Sequence, residues 1–199
     1  TPLQASGALV ANHVSWLDIF VLNSGGRVTF VAKSEVRGWA GIGVLARAVG
    51  TVFIERRRMA AKAQTALLET RLSAAQPLVI FPEGTSTDGL RVLHFKSTLF
   101  DSLFMHNMKN YLRVQPVTIA NHAPAGEDPA FYGWWGAQGF GAGLWRVLSV
   151  RNNGHVTLIY HTSILMQDIE NRKVLAKHTT EVVRDGLSAA LTAAGQEAS

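Results

Sequence analysis

Apolar residues in this chain fall into short continuous runs. These runs alternate with segments of helical spacing and are separated by Gly, Pro and small polar residues. Gly7 to Ala11 is the first run and predicts a strand ending at Asn12-His13. Ser15 then stands where a helix N-cap would, with a helix over Trp16 to Asn23. Val28 to Ala32 predicts a second strand, Trp39 to Val49 a short helix whose small residues allow close packing, and Thr51 to Ile54 a third strand. Met59 to Ala75 combines helix-forming residues with apolar positions at helical spacing. Pro77 restarts the chain, and Leu78 to Phe81 is apolar throughout, the pattern of a strand buried on both faces of its sheet.

Lys96 to His106 predicts a helix with Leu99, Phe100, Leu103 and Phe104 on one side. Val114 to Ile119 predicts a strand in which Pro116 implies a sheet edge or a bulge. Residues 121–143, rich in Gly, Ala, Pro and aromatics, predict irregular structure. His155 to Ser163 alternates as a last strand, and Lys173 to Ala194 predicts a long closing helix. Strands alternating with helices imply an α/β fold, with a mostly parallel or mixed central sheet flanked by helices. No repeat, low-complexity tract or long linker divides residues 1–199, so one domain is expected. In such sheets ligands gather beyond the carboxyl ends of the strands, and His13, Arg56 and Glu83 all stand just past a predicted strand end.

Composition narrows the function classes. At 47% hydrophobic and 17% charged residues, the chain has the balance of a folded domain. With no cysteine it has no disulfide frame, thiolate metal site or cysteine nucleophile, which fits a reducing compartment. The net charge of +5 suits nucleic acid, an anionic membrane leaflet or an acidic soluble partner, or is ordinary solubility charge. No run reaches the roughly 18–20 apolar residues needed to span a bilayer. The chain opens on Thr1-Pro2-Leu3 and enters an apolar strand almost at once, so a preceding segment, with any membrane anchor it carries, is expected upstream.

Three polar blocks carry candidate chemistry. In Asn-His-Val-Ser-Trp-Leu-Asp, residues 12–18, His13 can serve as a general base near neutral pH. Asp18 can fix its tautomer and stabilise the imidazolium. Five positions apart on one helix, the two would diverge by roughly 140°. They converge only if His13 lies in the loop and Asp18 in the first helical turn. Ser15 to Asp18 also has the capping-box pattern, so Asp18 has a purely structural use that is compatible with the catalytic one.

In Phe-Pro-Glu-Gly-Thr-Ser, residues 81–86, Glu83 can accept hydrogen bonds from substrate hydroxyls and Gly84 lets backbone approach a ligand. N–H groups at a following helix start would suit an oxyanion. The residues from Thr85 to Asp88 also suit simple turn and cap roles. In the third block, Gly50 to Arg56, Arg56 follows an apolar strand and can pair with a phosphate. Lys33, after the second strand, is a weaker candidate for the same task. Arg57 and Arg58 extend a charge run that reads as a solvated face. The aromatic stretch from Phe131 to Trp135, continuing to Phe140 and Trp145, is either a lid over the core or an apolar patch touching lipid.

The scattered histidines and the absence of HExxH predict no metal site, and no GxSxG, Walker A or nucleic-acid motif occurs.

Taken in order, the blocks resemble the PlsC-like glycerolipid acyltransferase family. His13 to Asp18 is similar to its H-x4-D motif, Gly50 to Arg56 to G-x-x-F-I-x-R, Phe81 to Ser86 to F-P-E-G-T, and Val114 to Ile119 to its proline-containing fourth motif. The resemblance spans residues 9–120. It implies transfer of a fatty acyl group from an acyl-CoA or acyl-carrier-protein thioester to a lyso-lipid hydroxyl, with phosphatidate from lysophosphatidate as the product and no further cofactor. It implies His13 and Asp18 as the catalytic pair acting without a covalent intermediate. Arg56 would hold an acceptor phosphate, with Glu83, Gly84, Thr85 and Lys33 also in the binding site.

Many members carry a basic residue after Glu-Gly-Thr, whereas Ser86 stands here, so Arg91 or Lys96 would have to substitute or the head group differs. The Thr-Ser-Thr-Asp-Gly variant and the Trp-Trp-Gly stretch resemble branches that acylate lyso-ornithine lipid, the alternative acceptor. The expected setting is the cytoplasmic face of a bacterial membrane. Two other classes remain open at this level: a lipid-binding module without catalysis, and a thioesterase that turns the same pair on water.

Overall fold

The computed structural model describes residues 7–39, 41–54, 77–104 and 110–195. The helix expected over 59–75 and the cation Arg56 lie outside these residues. In chain order the described elements are β1 (Gly7–Ala11), α1 (Asp18–Ser24), β2 (Thr29–Lys33), α2 (Ile42–Ala48), β3 (Val52–Ile54), β4 (Leu78–Ile80), β5 (Arg113–His122), α3 (Phe140–Ser149), β6 (His155–Tyr160), β7 (Ile164–Leu165) and α4 (Arg172–Ala193). Short 3₁₀ segments cover Ser34–Gly38, Ser97–Phe104 and Met166–Asp168.

The sheet runs β3-β2-β4-β1-β5-β6, with β7 also paired to β5. β1 to β5 are mutually parallel, while β6 and β7 run antiparallel to β5 along the same edge. Alternate residues of each strand feed two cores, as the period of two requires. Ala8, Val10, Leu78, Ile80 and Val114 face α4 and the 3₁₀ segment Ser97–Phe104, meeting Phe100, Leu103, Val183 and Leu187. Leu9, Ala11, Val79, Val117 and Ile119 face α1, meeting Leu22 and Val28. Every residue of β1 and β4 is buried, which accounts for their unbroken apolar runs. The mixed sheet with helices on both faces is the architecture that the alternating runs predict.

Three local differences have physical causes. The segment expected as a helix over Lys96 to His106 forms a 3₁₀ coil over Ser97–Phe104. Its two fully buried side chains, Phe100 and Leu103, are three apart, the spacing that eclipses in a 3₁₀ turn. Residues 140–149 form α3 although 121–143 read as irregular and nothing was expected just beyond. Gly139, Gly141 and Gly143 depress helix propensity there, but tertiary contacts hold the helix: Phe140 packs edge-on against Trp16 at 5.4 Å and Arg146 donates to Gly133 O at 3.0 Å.

Pro116 lies in a strand with partners on both sides, not at an edge, and the disruption falls on its neighbour. Three residues, 161–163, stand opposite two, 115–116, between the pairs Val117↔Tyr160 and Val114↔Ile164. At this bulge His161 N–H donates to Pro116 O at 3.0 Å, and Gln115 Nε2 donates to His161 O at 2.9 Å.

Among the described residues no helix is long and apolar enough to cross a membrane, and no group of three or more His, Cys, Asp or Glu side chains could hold a metal.

Candidate active site

The chain leaves β1 at Asn12, and that residue makes the exit possible. Asn12 is fully buried; its Oδ1 accepts from Ile119 N–H at 2.8 Å and its Nδ2 donates to Ile119 O at 2.9 Å. An amide side chain thus continues the β1–β5 ladder in place of backbone, and the next residue, His13, turns off the sheet edge. The motif pattern alone gave Asn12 no role, but a fully buried amide at a strand end needs such a partner.

His13 and Asp18 meet. His13 Nδ1 lies 2.7 Å from Asp18 Oδ2, and that same oxygen accepts from Val14 N–H at 2.8 Å and Ser15 N–H at 3.1 Å. Asp18 is completely buried, whereas the His13 side chain is 24% exposed. Ser15 Oγ accepts from Leu17 N–H at 3.2 Å, so the capping pattern and the imidazole contact use one constellation. The regular helix begins at Asp18, two residues later than the pattern predicts, which puts His13 in the loop and Asp18 in the first turn. With Nδ1–H given to the carboxylate, Nε2 presents its lone pair outward. The ring also stacks on Phe81, with centroids 4.2 Å apart and planes at 19°, which limits its rotation.

Glu83 turns inward. It is 1% exposed; its Oε1 accepts from His13 N–H at 2.9 Å and its Oε2 from Leu93 N–H at 3.1 Å. Both oxygens are engaged with backbone, so the expectation of a carboxylate open to substrate hydroxyls gives way to a pin under the His13 loop. Burial raises the Glu83 pKa from 4.5 to about 7, against the lowering effect of the two backbone donors. Thr87 is a second pin: its N–H and its Oγ1 both donate to His13 O, at 2.9 and 3.2 Å.

Residues 84–90 are bends and irregular chain, and the helical start beside this turn is the 3₁₀ segment Ser97–Phe104, joined to it by Lys96 N–H donating to Pro82 O at 2.9 Å. Gly84 has φ +71°, which only glycine adopts freely, and a Cβ there would meet Lys96 Nζ at 3.0 Å. Arg91 is tied to Asp88, which leaves Lys96 as the nearer cation to the turn.

The aromatic stretch straps these loops together. Trp134 N–H donates to Val14 O at 3.0 Å, and Ser86 Oγ donates to Trp134 O. From α3, Arg146 donates to Gly133 O at 3.0 Å and sits over the Phe131 ring. Trp134 therefore joins the His13 loop to the Glu83 loop, a role that its sequence did not reveal.

His13 lines a cavity of about 470 Å³. His13, Gly84, Thr85 and Ser86 line its polar end; Trp16, Phe30, Ile42, Ala46, Leu99 and Trp134 give it mostly apolar walls. It is of ligand-pocket size. Lys33 ends β2 at the same sheet edge.

A hydrogen-bonded His–Asp pair stands at the carboxyl edge of the α/β sheet, beside a mostly apolar cavity. The comparisons with known proteins define the class: residues 2–120 match the family model described as Acyltransferase. The chain is 50% identical over 186 residues to the lyso-ornithine lipid O-acyltransferase of Rhodobacter capsulatus, covering 94% of this chain and 67% of that protein. It is 35% identical over 153 residues to the 1-acyl-sn-glycerol-3-phosphate acyltransferase of Neisseria gonorrhoeae, covering 75% of this chain and 58% of that protein. The crystal structure of the acyltransferase PlsC from Thermotoga maritima superposes with a TM-score of 0.58 at 24% identity, over 94% of this chain and 67% of that one, and has the same fold. The chain belongs to the PlsC-like acyltransferase family.

Proposed function

We propose that this protein acylates the free hydroxyl of a lyso-ornithine lipid from an acyl-CoA or acyl-carrier-protein thioester. The observation that carries this acceptor is the 50% identity to the Rhodobacter lyso-ornithine lipid acyltransferase over 94% of the chain. The cavity agrees with it. Among the described residues its lining holds the carboxylates Glu35 and Asp101, with Asp101 already paired to Arg172, while Lys96 Nζ stands beside the lining residue Gly84. A carboxylate suits the free amine of an amino-acid head group better than it suits a phosphate. The Neisseria relative supports lysophosphatidate as a second acceptor.

In the proposed mechanism the lyso-lipid hydroxyl gives its proton to His13 Nε2 as its oxygen attacks the thioester carbonyl. Asp18 stabilises the imidazolium that forms. Collapse of the tetrahedral intermediate forms the ester and expels the thiolate, which takes the proton back from His13. No residue of the chain is acylated. The proposed setting is the cytoplasmic face of a bacterial membrane.

The test follows thiol release from palmitoyl-CoA and from palmitoyl-carrier protein, with lyso-ornithine lipid, with lysophosphatidate and with neither. Release that needs lyso-ornithine lipid and falls by roughly 10²–10⁴ in His13→Ala is expected. Release with no acceptor would make the protein a thioesterase. Dependence on lysophosphatidate alone would move the acceptor to the second reading. A Glu35→Gln variant should raise KM for lyso-ornithine lipid while leaving KM for lysophosphatidate unchanged.

A further inference from the structure

One cation at the active-site turn has no acid to answer it. Lys96 immediately precedes the 3₁₀ segment Ser97–Phe104, and its backbone is pinned on both sides. Its N–H donates to Pro82 O, and its carbonyl accepts from Leu99 N–H, each at 2.9 Å. The side chain is exposed and lies back over Gly84. A Cβ on Gly84 would meet Lys96 Nζ at 3.0 Å, Lys96 Cδ at 3.5 Å and Leu99 Cδ1 at 3.7 Å. Gly84 and Leu99 both line the cavity, and Gly84 does so beside His13, Thr85 and Ser86, so the ammonium stands at the polar end. The carboxylates of the neighbouring segments are engaged elsewhere. Glu83 accepts from His13 and Leu93 N–H, Asp88 holds Arg91 and Asp101 holds Arg172. Among the described residues Lys96 forms no ion pair.

A solvated lysine needs no partner. This one, however, is held against the wall of a pocket, where an entering ligand displaces its water and an anion on that ligand gains a charge-assisted hydrogen bond. An ornithine head group that carries its acyl chain on the α-nitrogen keeps one carboxylate and one ammonium. The site offers a counter-charge to each. Glu35 lines the cavity and, among the described residues, is bonded only by Ser34 Oγ, at 3.4 Å. Lys96 supplies the opposite sign. A phosphate monoester would answer only the second of these charges.

We propose that Lys96 is a specificity-determining residue that holds the head-group carboxylate of the acceptor, so that, with Glu35 on the ammonium, the site selects a zwitterion. The proposal deepens the lyso-ornithine reading and rests on it. Its chemistry is binding, not proton transfer. His13 and Asp18 remain the base and its partner, and the carboxylate of the acceptor is not a reacting group. Loss of the ammonium should therefore act on KM, and only on acceptors that carry the free carboxylate.

The test follows thiol release from palmitoyl-CoA and palmitoyl-carrier protein with three acceptors: lyso-ornithine lipid, its carboxyl methyl ester and lysophosphatidate. The parent is compared with Lys96→Met and Lys96→Arg. In the parent, KM for the methyl ester should exceed that for the free carboxylate by about tenfold or more. Lys96→Met should raise KM for lyso-ornithine lipid by that factor and far less for the methyl ester, so that the preference disappears. Lys96→Arg should restore most of it. Because the Lys96 side chain is exposed, both variants should melt at the parent temperature. A parent indifferent to esterification, or an equal loss on both ornithine acceptors, would overturn the proposal and leave the lyso-ornithine reading standing. A loss confined to kcat would also overturn it, by moving Lys96 to the reacting carbonyl. Release with lysophosphatidate and with neither ornithine lipid would remove the reading and the proposal together.

Discussion

At the scale of single residues, the site depends on groups that hold His13 more than on groups that touch substrate. Asn12 should behave as a positioning residue. Asn12→Ala leaves the buried Ile119 N–H and C=O without their partners, a loss of about 1–3 kcal/mol per buried group that urea denaturation would register. Its kinetic signature should be a lower kcat with donor KM nearly unchanged, because the imidazole is displaced while the cavity is not; an unaltered kcat would limit Asn12 to stability.

Glu83 offers a pH readout. Its pKa rises on folding, from 4.5 to about 7, so the folded chain keeps a proton that the unfolded chain has lost between those values. Its contribution to stability is fully present below about pH 4.5, declines as pH rises and levels off above about 7. Relative to Glu83→Gln, the parent protein should lose about 3 kcal/mol across that window. Above it, the ionised carboxylate is the better acceptor for His13 and Leu93 N–H. Denaturant midpoints of both proteins at pH 5 and pH 8 would check this, and a constant difference would mean that burial does not shift Glu83.

At the scale of elements, what the sequence made legible depended on whether the cause was local. β1, β4 and α4 could be read from runs and periodicity because a strand buried on both faces, or a helix with one buried stripe, carries its environment in its own residues. The His13–Asp18 convergence was legible in part: Asp18 Oδ2 holds both His13 Nδ1 and Ser15 N–H, but the N-cap is Leu17, without a side-chain bond, and not Ser15. α3 was hidden because its glycines lower helix propensity while the contact that holds it, Phe140 on Trp16, is far away in sequence. The inward turn of Glu83 was hidden because its partners, His13 and Leu93, belong to other segments. Ser86 also read as a turn residue, yet its hydroxyl holds the Trp134 carbonyl across 48 positions.

This strap gives a prediction at the same scale. Ser86→Ala should cost on the order of 1 kcal/mol in stability and lower kcat/KM, while Ser86→Thr, which keeps a donor, should restore both. Thermal melts beside steady-state kinetics would decide, and an alanine variant indistinguishable from the parent would show that Trp134 is held by Val14 alone.

At the scale of the whole molecule, a rigid sheet carries a catalytic edge, and one helix reaches from that edge to the outer surface. β1, β4 and β5 are buried almost throughout and paired on both sides, so their amides should exchange only when the molecule opens globally. α3 differs. Its one buried residue is Gly143, its outward apolar side chains contact solvent, and it is held to the site by Phe140 on Trp16 and Arg146 on Gly133. Few buried apolar contacts mean a low free energy of local opening. Hydrogen exchange should therefore show the slowest amides in Ala8–Ala11, Leu78–Ile80 and Val114–Ile119, with α3 exchanging far faster by sub-global opening. Protection of α3 equal to that of β1 in water would contradict this division of the molecule. The division has a functional reason: the strands hold the His13 loop in place, whereas no residue of α3 lines the cavity.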